Sequence, residues 1–105
     1  MASSKEYLSF VLDQLSGVEG VSYRAMMGEY ILYLDGRVIG GIYDDRFLVK
    51  GTAAAKRLMP DAPRELPYEG AKEMLLVDRI DDRAFLEALL RAIGEEPDGK
   101  RRRRS

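Results

Sequence analysis

Tyr30-Ile31-Leu32-Tyr33-Leu34-Asp35-Gly36-Arg37-Val38-Ile39 is the stretch that decides the fold. Aromatic and aliphatic residues run up to an Asp-Gly pair and resume after it, the pattern of a β-hairpin closed by a two-residue turn. Both central residues of such a turn need positive φ, which glycine adopts freely and aspartate more readily than most. The pattern extends outward. Upstream, Val21 to Met26 is another extended run, joined through Met27-Gly28-Glu29. Downstream, Gly41-Ile42-Tyr43 and Arg46-Phe47-Leu48-Val49-Lys50 flank Asp44-Asp45, which predicts a third hairpin with a less favourable turn pair. The segment from Val21 to Lys50 therefore reads as a four-strand meander.

Helices bracket the meander. Ser3-Ser4-Lys5-Glu6 reads as a capping box, with the Ser3 hydroxyl accepting from the Glu6 amide. Leu8, Val11, Leu12 and Leu15 then recur at helical spacing until Gly17, giving a helix over Ser4 to Ser16. Thr52 caps a short helix from Ala53 to Leu58, and Pro60 ends it. Pro63 and Pro67 bracket an edge strand near Leu66 and Tyr68, and Met74 to Val77 supplies the last strand. Asp81 or Asp82 caps a final helix whose buried stripe is Phe85, Leu86, Leu89, Leu90 and Ile93, with Gly94 at its end. The order α-β-β-β-β-α-β-β-α implies an α+β, two-layer architecture, one antiparallel sheet with helices on one face.

An unbroken ladder about Asp35-Gly36 pairs Tyr33 with Val38, Leu32 with Ile39 and Ile31 with Gly40. One face then carries Ile31, Tyr33, Val38, Gly40, Ile42, Phe47 and Val49 and is expected to lie beneath the helices. The other carries Tyr30, Leu32, Leu34, Arg37, Ile39, Tyr43, Arg46, Leu48 and Lys50. Aliphatic, tyrosine and arginine side chains together have the composition of an interface, so these nine residues are the predicted interaction surface. A one-residue register error would exchange the faces. Gly40-Gly41 marks a bulge or a close contact, and Met26 and Met27 read as core fillers.

Composition narrows the chemistry. The 105 residues contain no cysteine, histidine or tryptophan, which excludes zinc fingers, thiol nucleophiles and imidazole-based triads. Asp44-Asp45 and Asp81-Asp82 are the candidate carboxylate pairs, but the first sits where a turn is needed and the second where a helix needs a cap. No phosphate loop, dinucleotide fingerprint or nucleophile elbow is present. The expectation is a protein with no catalytic residue, no metal and no cofactor. No apolar run is long enough to span a membrane and no signal-peptide pattern opens the chain, so a cytoplasmic location is expected.

Charge divides the chain. Residues 1–99 carry 12 basic and 18 acidic groups, whereas Lys100, Arg101, Arg102, Arg103 and Arg104 are all positive. A folded domain over residues 1–94 and a disordered basic tail over 95–105 follow. The tail, with Arg37, Arg46 and Lys50 beside tyrosines, supports an alternative function in direct nucleic-acid binding. However, Arg46-Phe47-Leu48-Val49-Lys50 does not match the RNA-recognition strand pattern.

Tyr23-Arg24-Ala25-Met26-Met27-Gly28-Glu29-Tyr30, Leu32-Tyr33-Leu34-Asp35-Gly36, Ile42-Tyr43-Asp44-Asp45-Arg46-Phe47-Leu48-Val49-Lys50 and Leu66-Pro67-Tyr68-Glu69 together resemble the N-terminal domain of the TfoX/Sxy proteins. The likeness covers roughly Ser4 to Ile93; Met27 stands where the family usually has Phe. The resemblance implies a fold similar to secretion chaperones and frequent homodimerisation through the sheet. It also implies a non-enzymatic role beside a transcription-factor partner in competence regulation, which full-length members perform with a second, helical domain for which this chain is too short. Arg24, Gly28 and Lys50 match the family pattern; Arg24 is expected to pair with a carboxylate and Gly28 to supply a turn conformation.

Overall fold

Three two-residue turns set the geometry of the sheet. In the computed structural model, which describes residues 3–96, Met27 and Gly28, Asp35 and Gly36, and Asp44 and Asp45 all lie at positive φ, from 52° to 86°. Each pair therefore closes a hairpin whose twist matches that of its strands. The elements are α1 (Lys5–Gln14), β1 (Val21–Met26), β2 (Glu29–Leu34), β3 (Arg37–Ile42), β4 (Phe47–Val49), α2 (Ala53–Leu58), β5 (Arg64–Glu65), β6 (Met74–Leu76) and α3 (Arg83–Glu95). The six strands form one antiparallel sheet in the order β1-β2-β3-β4-β6-β5. The predicted element order and architecture are those observed.

The ladder between β2 and β3 is not straight. Leu34 pairs with Arg37 and Tyr33 with Val38, but Leu32 then faces Gly40 and Ile31 faces Gly41, leaving Ile39 as a bulge. One extra residue moves everything beyond it to the opposite face. The expected face of Ile31, Tyr33, Val38, Ile42, Phe47 and Val49 is thereby split. Ile42, Phe47 and Val49 do lie beneath the helices, where they meet Tyr30, Leu32, Leu34 and Ile39, whereas Ile31, Tyr33 and Val38 turn to the helix-free side. Glycine permits the irregularity. A Cβ on Gly40 would run into the Leu48 carbonyl oxygen and the Val49 Cα, and one on Gly41 would stand 2.6 Å from the Tyr30 carbonyl oxygen.

All three helices pack on the bulge-shifted face in one core. Leu8, Val11 and Leu15 of the α1 region, Ala54 and Ala55 of α2, and Leu86, Leu89, Leu90 and Ile93 of α3 close over Leu32, Ile39, Ile42, Phe47 and Val49. Fully burying each of the larger side chains is worth about 1.5–3 kcal/mol. Met26 and Met27 take no part: they are 46% and 95% exposed, because Met27 is the tip of the first turn.

Local capping differs from the expected box by one residue. Ser4, not Ser3, caps α1, its Oγ accepting from the Tyr7 amide at 3.1 Å. Ser3 is drawn away by a longer-range network, donating to Glu29 Oε1 at 2.7 Å and accepting from the Asp45 amide at 3.0 Å. Asp82 caps α3 through the Phe85 amide, as one of the two predicted positions. The helix runs past Gly94 to Glu95, and the Glu96 carboxylate accepts from the Ala54 amide at 3.0 Å, tying the chain to the start of α2. Helix α3 and the Glu96 contact thus pass the expected boundary at residue 94, and Lys100 to Arg104 lie outside the described residues.

Candidate functional site

The nine predicted interface residues separate into two groups. Tyr30, Leu32, Leu34 and Ile39 belong to the helix-covered core, which corrects their placement on an exposed face; the bulge is the cause. Arg37 is also on the helix side. Its guanidinium donates to the carbonyls of Glu96 at 2.8 Å and Ile93 at 3.0 Å, satisfying the open end of α3 with a favourable charge. Tyr43, Arg46, Leu48 and Lys50 do lie on the helix-free side.

That side has two halves. Over β3, β4 and β6 the β5–β6 loop folds back across the sheet, burying Pro67 and bringing the Tyr68 ring to 6.3 Å from that of Tyr43. Arg46 is paired with Glu65 at the base of the loop. Leu48 and Tyr43 are buried here, away from the main core. Burial, reinforced by Tyr68, Glu29 and Tyr33 nearby, raises the Tyr43 pKa, so its hydroxyl remains a proton donor well above neutral pH. Over β1, β2 and β3 no loop crosses the face among the described residues. Ile31 and Tyr33 are half-buried there and Val38 and Met26 are exposed, with Arg24, Ser22 and Glu29 among them. β1 forms the outer edge.

Between the loop, the β3–β4 strands and the start of α2 lies a groove of about 590 Å³. Its floor includes Val38, Gly40, Tyr43 and Met74, and its rim carries Lys50, Lys56, Arg64 and Lys72 against one carboxylate, Glu73. None of these four cations forms an ion pair among the described residues. Only Lys50 was singled out by sequence reasoning. The other three come from α2, β5 and the β5–β6 loop, so no local run announces them.

The candidate carboxylate pairs are structural in position. Asp45 Oδ1 accepts from the Ser4 amide at 2.8 Å, and the Asp44 amide donates to Glu29, so the third turn anchors the start of α1. Asp82 is held below the usual carboxylate pKa by the Phe85 amide it caps and by Arg79. Among the described residues no three Asp, Glu, His or Cys side chains assemble as a metal site, and no helix is long and apolar enough to cross a membrane. Arg24 forms no ion pair among the described residues, and Gly28, at φ 86°, serves the first turn.

A six-strand antiparallel sheet, its first four strands a meander, with three helices on one face and a loop folded over half of the other, defines a small α+β domain. Residues 13–92 match the TfoX N-terminal domain, and the chain belongs to that family. It is 36% identical over 84 residues to an uncharacterized 12.7 kDa protein in the trpE 5′ region of Spirochaeta aurantia, covering 80% of this chain and 73% of that protein. No solved structure matches the chain.

Proposed function

We propose that the chain is a non-enzymatic regulatory binding module that pairs with a second copy through the uncovered half of its sheet and serves a transcription-factor-type partner in the cytoplasm. The observation that carries the reading is the uncovered surface of β1–β3. Ile31, Tyr33, Val38 and Met26 lie there beside Arg24 and run to the open edge of β1. Tyrosine, arginine and methionine on a half-buried apolar floor are the residues enriched at protein interfaces. The unpaired edge adds backbone donors and acceptors to which a second strand can bond. Membership of the TfoX N-terminal domain family supports the regulatory part of the reading.

Sedimentation velocity across a concentration series tests it, comparing the full chain with Tyr33→Glu and Met26→Lys. Met26 is exposed and Tyr33 only half-buried, outside the helix-covered core, and circular dichroism verifies that each variant folds while a dimer loses stability. A monomer at every concentration for the unaltered chain sinks the proposal. Nucleic-acid binding is the second reading, favoured by the groove cations, which form no ion pair among the described residues, and by Lys100 to Arg104 in the sequence. Fluorescence anisotropy with duplex and single-stranded probes tests it. Affinity must fall steeply with salt, and removing residues 100–105 separates the tail from the folded surface.

A further inference from the structure

We propose that the groove between the β5–β6 loop and the sheet binds a free nucleotide carrying two or more phosphates. Its volume, about 590 Å³, falls within the roughly 300–1,000 Å³ usual for small-molecule sites. The rim holds four cations and one carboxylate, a local excess of three positive charges in a body where acids outnumber bases by 18 to 12 over residues 1–99. Like charges gathered around a concavity repel one another unless an anion joins them. A diphosphate, with about −1.5 to −2 on its terminal group and another charge on the inner one, nearly matches that excess. Lysine and arginine together give point-charge and forked recognition of phosphate oxygens.

The groove also has a place for a ring. Tyr43 and Tyr68 stand with centroids 6.3 Å apart at an interplanar angle of 60°, and Tyr68 is 61% exposed. A flat base can stack on the Tyr68 ring over the apolar floor of Val38 and Met74. The Tyr43 hydroxyl, kept protonated by burial, is a donor in the same groove. Phosphate and base recognition are thus combined in one concavity, whereas an extended polynucleotide would require a continuing basic track.

Isothermal titration of the full chain with ADP, adenosine, pyrophosphate and a thymidine decanucleotide tests the proposal. ADP is expected to bind more tightly than adenosine or pyrophosphate, and more tightly than the oligonucleotide. Lys50→Ala combined with Arg64→Ala should weaken ADP binding by about tenfold or more, the loss expected of a charge-assisted contact. Tyr68→Ala should weaken ADP while leaving pyrophosphate unchanged. All three side chains are exposed, and circular dichroism verifies that the variants fold; Lys5→Ala on α1 serves as the charge control. No ADP binding, equal binding by the double variant, pyrophosphate binding as tightly as ADP, or preference for the oligonucleotide would each overturn the assignment.

Discussion

Replacing Leu32 by alanine, and separately replacing its neighbour Ile31, tests the bulge directly. Leu32 is fully buried in the cluster shared by all three helices, while Ile31 is only half-buried on the helix-free side. A buried Leu→Ala change costs about 2–5 kcal/mol, and a site enclosed by several packed elements collapses poorly, so about 3–4 kcal/mol is expected. Ile31→Ala loses partly exposed area and some strand preference, about 1 kcal/mol. For a domain of this size each kcal/mol lowers Tm by roughly 4–8 °C, which places Leu32→Ala about 12–30 °C below the unaltered chain. The whole stability is on the order of 5–14 kcal/mol, so the leucine variant loses a large share of it. The chain has no tryptophan, and urea unfolding is best followed by far-ultraviolet circular dichroism. An equal or larger loss from Ile31→Ala would restore the straight ladder and refute the face assignment.

Gly40→Ala should cost about 2–3 kcal/mol because its methyl meets the backbone of Leu48 and Val49, which cannot give way as a side chain can. Gly36→Ala, with open space around it but φ at 82°, should cost only about 1–2 kcal/mol, and denaturant midpoints that rank the two in reverse would contradict this reading. Arg37→Met keeps the aliphatic stem but removes the donors from the end of α3, with an expected loss of about 1–2 kcal/mol in the same assay; no loss would show that solvent caps the helix equally well. Tyr7 and Tyr43 both have pKa values raised above 10.0, chiefly by burial, so each holds its proton more tightly when folded. Their contribution is complete below pH 10 and is lost as pH rises through the folded pKa values. Unfolding midpoints measured across that window should fall less steeply in a Tyr7→Phe, Tyr43→Phe double variant, and an unchanged slope would refute the assignment.

Turns, caps and the helix stripes were legible because their chemistry is local. Asp35-Gly36 announced its turn, and Thr52 and Asp82 announced their helices. Asp44-Asp45 adopts the same left-handed pair without glycine, held by bonds to Ser4 and Glu29 that lie 41 and 15 residues away. The choice between Ser3 and Ser4 as cap was decided in the same way, by Glu29 26 residues along the chain. The bulge had a signal in Gly40-Gly41, but its placement depends on where β4 approaches β3, which no local pattern contains. For that reason five of the nine predicted interface residues lie on the helix side instead, and the groove, whose four cations are separated in sequence, was visible only through Tyr43 and Lys50.

The two halves of the helix-free side meet at Val38. Its side chain lies on the uncovered face paired with Tyr33 and also lines the groove beside Gly40 and Lys50. A second copy seated on the uncovered half would therefore change the surroundings of Val38, and a nucleotide in the groove would touch the same residue from the other direction. Pairing and ligand binding then share a contact and must be linked, with each changing the other's affinity by the same factor. The expected result is that saturating ADP shifts the dimerisation constant measured by sedimentation, and that Val38→Ala reduces the shift while Ile31→Ala, outside the groove lining, does not. Equal dimerisation constants with and without bound ADP in the unaltered chain would show that the halves act independently. Val38 would then be only a boundary between two surfaces, with no part in their communication.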